Sequence, residues 1–294
     1  MLTRDQYAER FAEVIRRAST ELPRDVVEAL RRGREAEAEE TLAKNALGTI
    51  LNNVEMARDK VAPICQDTGT PVVWLHHPAG VGTRMLRQAM EEAVRRATAA
   101  HHLRPNAVDT LTGKNTGDGA GRGIPAVHFE EWDDAAVKVE LILKGGGSEN
   151  VGAQYRLPDA ALGAGRDLEG VRRVVLDAVV QAQGKGCSPG VLGVCVGGDR
   201  VTGFEEAKRQ ILRRLDDENP EPELAALEKR LLEEGNSLGV GPMGFGGRTT
   251  LLGVKIGVRD RLPASYFVSV CYMCWADRRA SALIEEGGEL RWLN

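Results

Sequence analysis

Four short glycine-rich segments constrain what this chain can fold into. They are NTGDGAGRG (115–123), KGGGSEN (144–150), CSPGVLGVCVGG (187–198) and GVGPMGFGG (239–247). Glycine loses more conformational entropy on folding than any other residue, so each cluster needs a tight turn or a close approach of the backbone to a bound group. Turns are the simpler interpretation of any one cluster. Several clusters adjoin cysteine or acidic residues, which favours a shared site lined by backbone N–H groups. None matches a phosphate-binding loop, so a nucleotide site has little support.

Helical and strand patterns alternate along the rest of the chain. Apolar residues at helical spacing predict helices in the first 60 residues, the first beginning at a capping box of Thr3 and Gln6. Further helices are predicted at 35–57, 83–100, 167–183, 201–214 and 222–234. Strands are predicted at 72–75, 126–132, 138–143, 191–196, 251–258 and 266–272. This order predicts one mixed α/β domain over residues 1–294, with a helix-rich N-terminal segment and β-sheets flanked by helices.

The composition narrows the classes of protein to consider. The 294 residues are 42% hydrophobic and 28% charged, as in a soluble globular protein. The net charge of −4 lacks the basic excess of a nucleic-acid binder. No apolar run reaches the roughly 18 residues that a membrane-spanning helix needs, and MLTRDQYAERF lacks the apolar core of a secretory signal. We therefore expect a cytoplasmic protein that binds neither nucleic acid nor membrane.

Five cysteines leave packing, metal binding and catalysis open in a reducing compartment: Cys65, Cys187, Cys195, Cys271 and Cys274. Cys271 and Cys274 form a CxxC-type pair, but structural zinc usually takes two such pairs or paired histidines. A thioredoxin-like pair opens a helix, whereas this pair closes a predicted strand. Cysteines far apart in sequence can instead converge on an iron–sulfur cluster. Spacing alone does not choose the ligands among the five.

A family resemblance enters at CQDTGTPVV (65–73). The other segments that carry it follow in the family's order: LRPNAV (103–108), NTGDG (115–119), KGGGSEN (144–150), GCSPGVLGVCVGG (186–198), GPMGFGGRTTLLGVKI (241–256) and CYMCWADRR (271–279). Together they resemble the class I, iron–sulfur-dependent fumarases and the closely similar L-tartrate dehydratases. The resemblance covers about residues 5–285, and CQDTGT followed by KGGGSEN is a highly specific combination.

The resemblance implies a [4Fe–4S] cluster held by three cysteines. Carried over by motif, the ligands are Cys65, Cys187 and Cys274. Three cysteine ligands leave one iron open, which can act as a Lewis acid on a substrate hydroxyl. Cys187 stands in CSP where the family usually has CPP. Cys195 and Cys271 are interpreted as packing residues, although Cys271 lies close to the third ligand in sequence.

The same resemblance implies which residues meet the substrate. Gln66 and Asp67 directly follow the first ligand, face the open iron, and are the expected catalytic and substrate-binding residues, with Asp67 in proton transfer or water handling. Taken alone, an Asp before Thr-Gly would indicate a turn or a helix cap. Arg104 matches an arginine that clamps a substrate carboxylate, which suits its planar fork. The turn that lets the substrate approach is matched by Gly145, Gly146 and Gly147.

Two features set limits on this resemblance. Family members commonly place a His about twelve residues before the third cysteine, whereas this chain has Leu262 in RLPAS. Leucine can neither hydrogen-bond a substrate nor move a proton. The family's complete site also uses a second domain or subunit of about 200 residues, which supplies further Arg and Lys residues and a proposed Thr base. The chain therefore resembles an α subunit that is inactive alone, expected as a homodimer or an α2β2 assembly.

The expected reaction is the reversible hydration of fumarate to (S)-malate, carried out with a β subunit on a dicarboxylate substrate. The nearest alternative keeps the chemistry and takes L-tartrate or another hydroxy-dicarboxylate. A third possibility is a binding or regulatory homologue that kept the fold and lost catalysis.

Overall fold

The computed structural model describes residues 2–293. Its helices are α1 Arg4–Thr20, α2 Arg24–Ala36, α3 Leu42–Lys60, α4 Thr83–Ala99, α5 Gly146–Glu149, α6 Leu168–Ala182, α7 Thr202–Gln210 and α8 Pro222–Ser237. Its strands are β1 Thr70–Pro78, β2 Ala126–Trp132, β3 Val137–Lys144, β4 Ala153–Arg156, β5 Gly190–Gly197, β6 Leu251–Arg259, β7 Phe267–Met273, β8 Arg279–Ile284 and β9 Leu290–Trp292. The mixed α/β class predicted from the sequence is confirmed.

Contacts between Cα atoms divide the chain into two compact units, each assembled from separate segments. The first unit comprises the chain up to Arg24, residues 53–146 and the chain from Arg278 onward. The second comprises residues 25–52 and 147–277. Within residues 2–293, each unit contains one β-sheet. The single domain predicted over residues 1–294 stays a prediction.

The predicted start of the first helix is confirmed, and the predicted helix over 35–57 is wrong at its beginning. Gln6 N donates to Thr3 Oγ1 and Thr3 N donates to Gln6 Oε1, which completes the capping box. After α2 ends at Ala36, a break separates it from α3. Thr41 caps α3, since its Oγ1 accepts from Lys44 N at 3.2 Å.

The sheet of the first unit has the strand order β2-β1-β3-β8-β9. Strand β1 lies between β2, which is parallel to it, and β3, which is antiparallel. One face is covered by α1 and α4, whose apolar residues share a core with alternate residues of β1 and β3. In the antiparallel pair Thr70 lies opposite Lys144. The chain entering β1 therefore lies beside the chain leaving β3.

The sheet of the second unit has the order β4-β7-β5-β6. Strand β5 is buried along its whole length, as its continuous apolar run predicts. It is antiparallel to β7, with Val191 opposite Met273. The chain entering β5 therefore lies beside the chain leaving β7, and these two connections carry Cys187 and Cys274. Strands β4, β8 and β9 were not predicted; the six residues of β8 are all buried and show no alternation.

Across residues 2–293, no helix combines the length and the apolar character that crossing a membrane requires.

Candidate active site

The Asp67 carboxylate is held by backbone N–H groups from both sides. Its Oδ1 accepts from Gly69 N at 3.1 Å, and its Oδ2 accepts from Gly146 N at 2.7 Å. Gly69 needs a left-handed backbone, with φ +80°, to turn into β1. Asp67 is half-buried at the junction between the chain entering β1 and the chain leaving β3. These contacts fix the direction of the carboxylate before any ligand arrives.

Gly145 is glycine because there is no room for a side chain. A β-carbon at this position would lie 2.9 Å from Asp67 Oδ2 and 3.4 Å from Arg278 Nη2. Gly146 contributes its N–H, as described above. Gly147, in the second unit, has no such constraint, because a β-carbon there would meet only Lys185 O at 3.7 Å. The three glycines were predicted to form one substrate-binding turn. In the structure Gly145 and Gly146 contact Asp67, and Gly147 does not.

Arg278 is a site residue that the sequence did not single out. It is 1% exposed, and its Nη1 donates to the backbone oxygen of Asp67 at 2.6 Å. Its Nε has no hydrogen-bond partner among the residues that the structure describes. The only sequence signal was its place in CYMCWADRR, where two adjacent arginines could not be told apart.

Thr68 ties the LRPNAV segment to the CQDTG segment. Its buried Oγ1 accepts from Arg104 N at 2.9 Å and from Asn106 Nδ2 at 3.1 Å. This pairing sets the backbone of Arg104 beside that of Asp67 and Gln66, while the side chains of Arg104 and Gln66 stay exposed. A guanidinium and an amide are therefore accessible to a solute near the fixed carboxylate.

Exposure separates the five cysteines into two groups. Cys65, Cys187 and Cys274 are half-buried, whereas Cys195 and Cys271 are 0% and 1% exposed inside β5 and β7. Burial raises the pKa of the Cys195 thiol to about 12, with a further contribution from Glu206. A thiol in that state is a poor metal ligand, because ligation requires the thiolate.

Cys187 and Cys274 are brought together by their strands and by one backbone bond. Trp275 N donates to Cys187 O at 3.1 Å, immediately beyond the paired ends of β5 and β7. Cys187 takes a left-handed conformation with φ +57°, which is uncommon for a residue with a side chain. Such strain is characteristic of functional positions. Cys65 lies in the first unit, before β1.

Tyr272 lies between the strand ends that carry these two cysteines. Its ring packs against glycine backbone: a β-carbon at Gly186 would lie 2.5 Å from Cε1, and one at Gly190 would lie 2.3 Å from Cζ. The side chain is 2% exposed, and its hydroxyl has no hydrogen-bond partner within residues 2–293. Burial raises the pKa of this phenol, and a negative charge on Cys274 or Cys187 adds to the effect.

The sequence model of the fumarate hydratase (Fumerase) family matches residues 8–283. The chain belongs to this family. It is 48% identical over 290 residues to a putative fumarate hydratase class I of Geobacillus stearothermophilus, covering 97% of this chain and 56% of that protein. It thus spans about half the length of that relative.

Two further relatives are named as tartrate dehydratase subunits. The chain is 36% identical over 283 residues to a putative L(+)-tartrate dehydratase subunit alpha of Methanocaldococcus jannaschii, covering 95% of this chain and 97% of the relative. It is 32% identical over 274 residues to the L(+)-tartrate dehydratase subunit alpha of Escherichia coli strain K12, covering 90% and 86%. The family resemblance read from the motifs is confirmed.

Leu262, at the position where the motif resemblance led us to expect a His, lies in an exposed loop between β6 and β7. The side chain is 74% exposed. The backbone is held firmly, since Leu262 O accepts from Ser265 N at 3.1 Å and from Arg261 Nη1 at 3.2 Å. Arg166 Nη2 donates to Ala264 O at 2.9 Å from the other side. A side chain at 262 is therefore presented outward from a fixed loop.

In the described part of the chain, no three or more His, Cys, Asp or Glu side chains form a group that could hold a metal ion. Cysteines that hold an iron–sulfur cluster each bind a different iron atom. The absence of such a group therefore concerns sites for a single metal ion, not for a cluster.

Proposed function

We propose that this chain is the α subunit of a [4Fe–4S]-dependent hydro-lyase, which hydrates fumarate reversibly to (S)-malate together with a β subunit. The observation that carries the proposal is the Asp67 carboxylate, fixed by Gly69 N and Gly146 N two residues after the half-buried Cys65. The 48% identity to a relative named as a putative class I fumarate hydratase supports fumarate as the substrate.

Cys65, Cys187 and Cys274 are the residues that would hold the cluster. Their partial exposure, in contrast to the buried Cys195 and Cys271, fits ligands that a cofactor can reach. The buried Tyr272 hydroxyl without a partner in the described chain also fits a group that adds hydrogen-bond acceptors there. When bound, such a cluster supplies a Lewis-acidic iron that polarises the C–O bond of a substrate hydroxyl.

The remaining roles, which are proton handling and substrate binding, fall to protein side chains. Hydration adds one proton and one hydroxide across a carbon–carbon double bond, and no electron is transferred to or from the substrate. Asp67 accepts one backbone N–H at each oxygen, which leaves lone pairs to hold a water molecule or receive its proton. The exposed Arg104 guanidinium would bind one substrate carboxylate bidentately, and Gln66 would donate its amide N–H to a substrate oxygen. Gly145, which has no β-carbon, leaves room for the Asp67 carboxylate beside Arg278.

The proposed enzyme also contains a second polypeptide, the β subunit. Two relatives carry the words subunit alpha in their names and are matched over 97% and 86% of their length, which supports an enzyme made of two chains. A β subunit of about 200 residues would supply further cationic carboxylate ligands and the base. We expect a homodimer or an α2β2 complex in the cytoplasm, where thiols stay reduced.

L-Tartrate, or another hydroxy-dicarboxylate, is the second candidate substrate. It is favoured by the names of the two tartrate dehydratase relatives and by the exposed Leu262, since a leucine there cannot hydrogen-bond substrate. A panel of fumarate, (S)-malate and L-tartrate would discriminate, run on the wild type and on Leu262→His. Turnover of tartrate and none of fumarate would assign the second substrate.

The cluster assignment is tested by cysteine replacement in the complex with the β subunit, reconstituted under anaerobic conditions. Fumarate absorbance, iron and sulfide are measured for Cys65→Ser, Cys187→Ser and Cys274→Ser. Each is expected to lose activity and the labile iron, whereas the buried controls Cys195→Ala and Cys271→Ala keep both. Activity retained in Cys65→Ser would contradict the assignment. A wild type without iron and sulfide would favour a non-catalytic homologue.

A further inference from the structure

The Tyr272 hydroxyl lies in a setting that the chain alone does not explain. Tyrosine hydroxyls that are buried usually find a hydrogen-bond partner, because an unmet polar group costs free energy. This one is 2% exposed and has none among residues 2–293. Phenylalanine would fill the same space against Gly186 and Gly190 without that cost. The hydroxyl therefore indicates an acceptor that is not part of the described chain.

The surroundings indicate which acceptor that is. Tyr272 follows Cys271 on β7 and precedes Cys274 by two residues, and its ring covers the glycines on either side of Cys187. Trp275 N bonds Cys187 O and keeps the two connections adjacent. A β-carbon at Gly190, three residues after Cys187, would lie 2.5 Å from the Tyr272 hydroxyl oxygen. The hydroxyl thus lies beside the segment that carries Cys187, and the half-buried Cys274 follows Tyr272 by two residues.

We propose that the Tyr272 hydroxyl donates a hydrogen bond to a sulfur of the cluster that Cys187 and Cys274 hold, and that this bond tunes the cluster. The inference rests on the proposed function, because it requires the cluster. Hydrogen bonds to cluster sulfurs stabilise the more negative, reduced state and so raise the reduction potential. They also hold the ligands in place, as outer partners do in other metal sites.

A second tyrosine of the same unit provides a matched control. Tyr155 on β4 is partly buried, and its hydroxyl donates to Asp177 Oδ2 at 2.8 Å. Tyr155→Phe removes a hydroxyl that already has a protein partner, whereas Tyr272→Phe removes one that has none. In the cluster-free protein, only Tyr155→Phe is therefore expected to lower the melting temperature. In the cluster-loaded protein, only Tyr272→Phe is expected to change the midpoint potential.

The experiment compares wild type, Tyr272→Phe and Tyr155→Phe as full-length chains, before and after anaerobic reconstitution with iron and sulfide. Without the cluster, Tyr272→Phe is expected to melt at or above the wild-type temperature, since it loses an unmet polar group, while Tyr155→Phe melts lower. With the cluster, the midpoint potential, followed by electron paramagnetic resonance, is expected to be more negative in Tyr272→Phe alone. Labile iron is expected to be lost faster in air from that variant.

The outcomes separate the two proposals. A wild type that assembles no cluster overturns both. A loaded Tyr272→Phe protein with the wild-type midpoint potential overturns the inference and leaves the cluster assignment standing. If Tyr272→Phe fails to hold the cluster, 3-fluorotyrosine placed at position 272 gives the second measurement. Its more acidic hydroxyl is a stronger donor, so the midpoint must move to a more positive value; no movement overturns the inference.

Discussion

Arg278 Nη1 donates a hydrogen bond to the backbone oxygen of Asp67 at 2.6 Å, although 211 positions separate the two residues. Both residues belong to the first unit, which the chain enters again at Arg278. It holds the backbone of the residue whose carboxylate is fixed by Gly69 and Gly146. Arg278 is thus a positioning residue for Asp67.

Replacing Arg278 by Lys should impair turnover without unfolding the protein. The ammonium keeps the charge but lacks the planar fork, so the bond to Asp67 O is lost or displaced. A hydrogen bond from a charged group contributes about 1.5–3 kcal/mol, which corresponds to a fall in kcat/KM of roughly tenfold to a hundredfold. Steady-state kinetics of the reconstituted complex measures it. Arg95→Lys, at an exposed ion pair with Asp118, is the control; equal kinetics in both variants would remove the positioning role.

Asp67→Asn should abolish most activity and leave the cluster in place. The amide resembles the carboxylate in shape, but its NH2 group cannot accept from Gly69 or Gly146 and cannot take up a proton. Loss of a general acid or base costs about 10²–10⁴-fold in rate. Activity per iron-loaded chain is the measurement, with the exposed Asp59→Asn as the control. A variant that retains more than about a tenth of the wild-type rate would argue against this role.

Gly190→Ala should both destabilise the protein and reduce its iron content. The new β-carbon would lie 2.3 Å from Tyr272 Cζ, so the ring or the strand must move. Overpacking of this kind costs about 1–3 kcal/mol. Denaturant unfolding and iron analysis measure the two effects. Gly287→Ala is the matched control because nothing lies within 4 Å of its β-carbon; a Gly190→Ala protein as stable as that control would show that the Tyr272 contact is not tight.

Glu37→Gln should destabilise the second unit. The Glu37 carboxylate is 4% exposed and accepts from Arg248 N and Thr249 N, each at 2.8 Å. Both bonds end on Oε1, while Oε2 accepts a third from Arg248 N at 3.0 Å. In the amide an NH2 group replaces one of the two oxygens and faces a buried N–H donor, so the expected cost is about 1–3 kcal/mol. Urea unfolding provides the free energy, compared with Glu39→Gln at an exposed ion pair with Lys44. Equal midpoints for the two variants would contradict the prediction.

Glu140 should make stability depend on pH in the acidic range. Burial alone would raise the pKa of Glu140, but hydrogen bonds from His76 and Lys138 outweigh it and hold the pKa below its ordinary value. A carboxyl with a lowered pKa in the folded state adds stability above its unfolded pKa of about 4.3, and this is lost as the pH falls through the folded pKa. Unfolding free energy measured from neutral to acidic pH should therefore fall less steeply in Glu140→Gln. The exposed Glu131→Gln should keep the wild-type slope; an unchanged slope in Glu140→Gln would refute the coupling.

The sequence by itself determined the types of most elements and the family. Repeats of apolar residues report on one face of a helix or strand, which is a local property, and so the capping box at Thr3 and the buried strand β5 were readable in advance. The motifs around Cys65 and Cys187 were equally local. The fully buried β8 was missed because Arg279 and Ser281 interrupt the continuous apolar run that marked β5.

Only the tertiary structure decided which distant groups meet. Strand register brings Thr70 opposite Lys144 and Val191 opposite Met273, and these pairings place Asp67 beside Gly146 and Cys187 beside Trp275. No periodicity encodes a bond across 211 positions, so Arg278 could not be told from its neighbour in the sequence. The exposure of Cys65, Cys187 and Cys274, and the burial of the other two cysteines, likewise follow from packing of whole sheets rather than from local pattern.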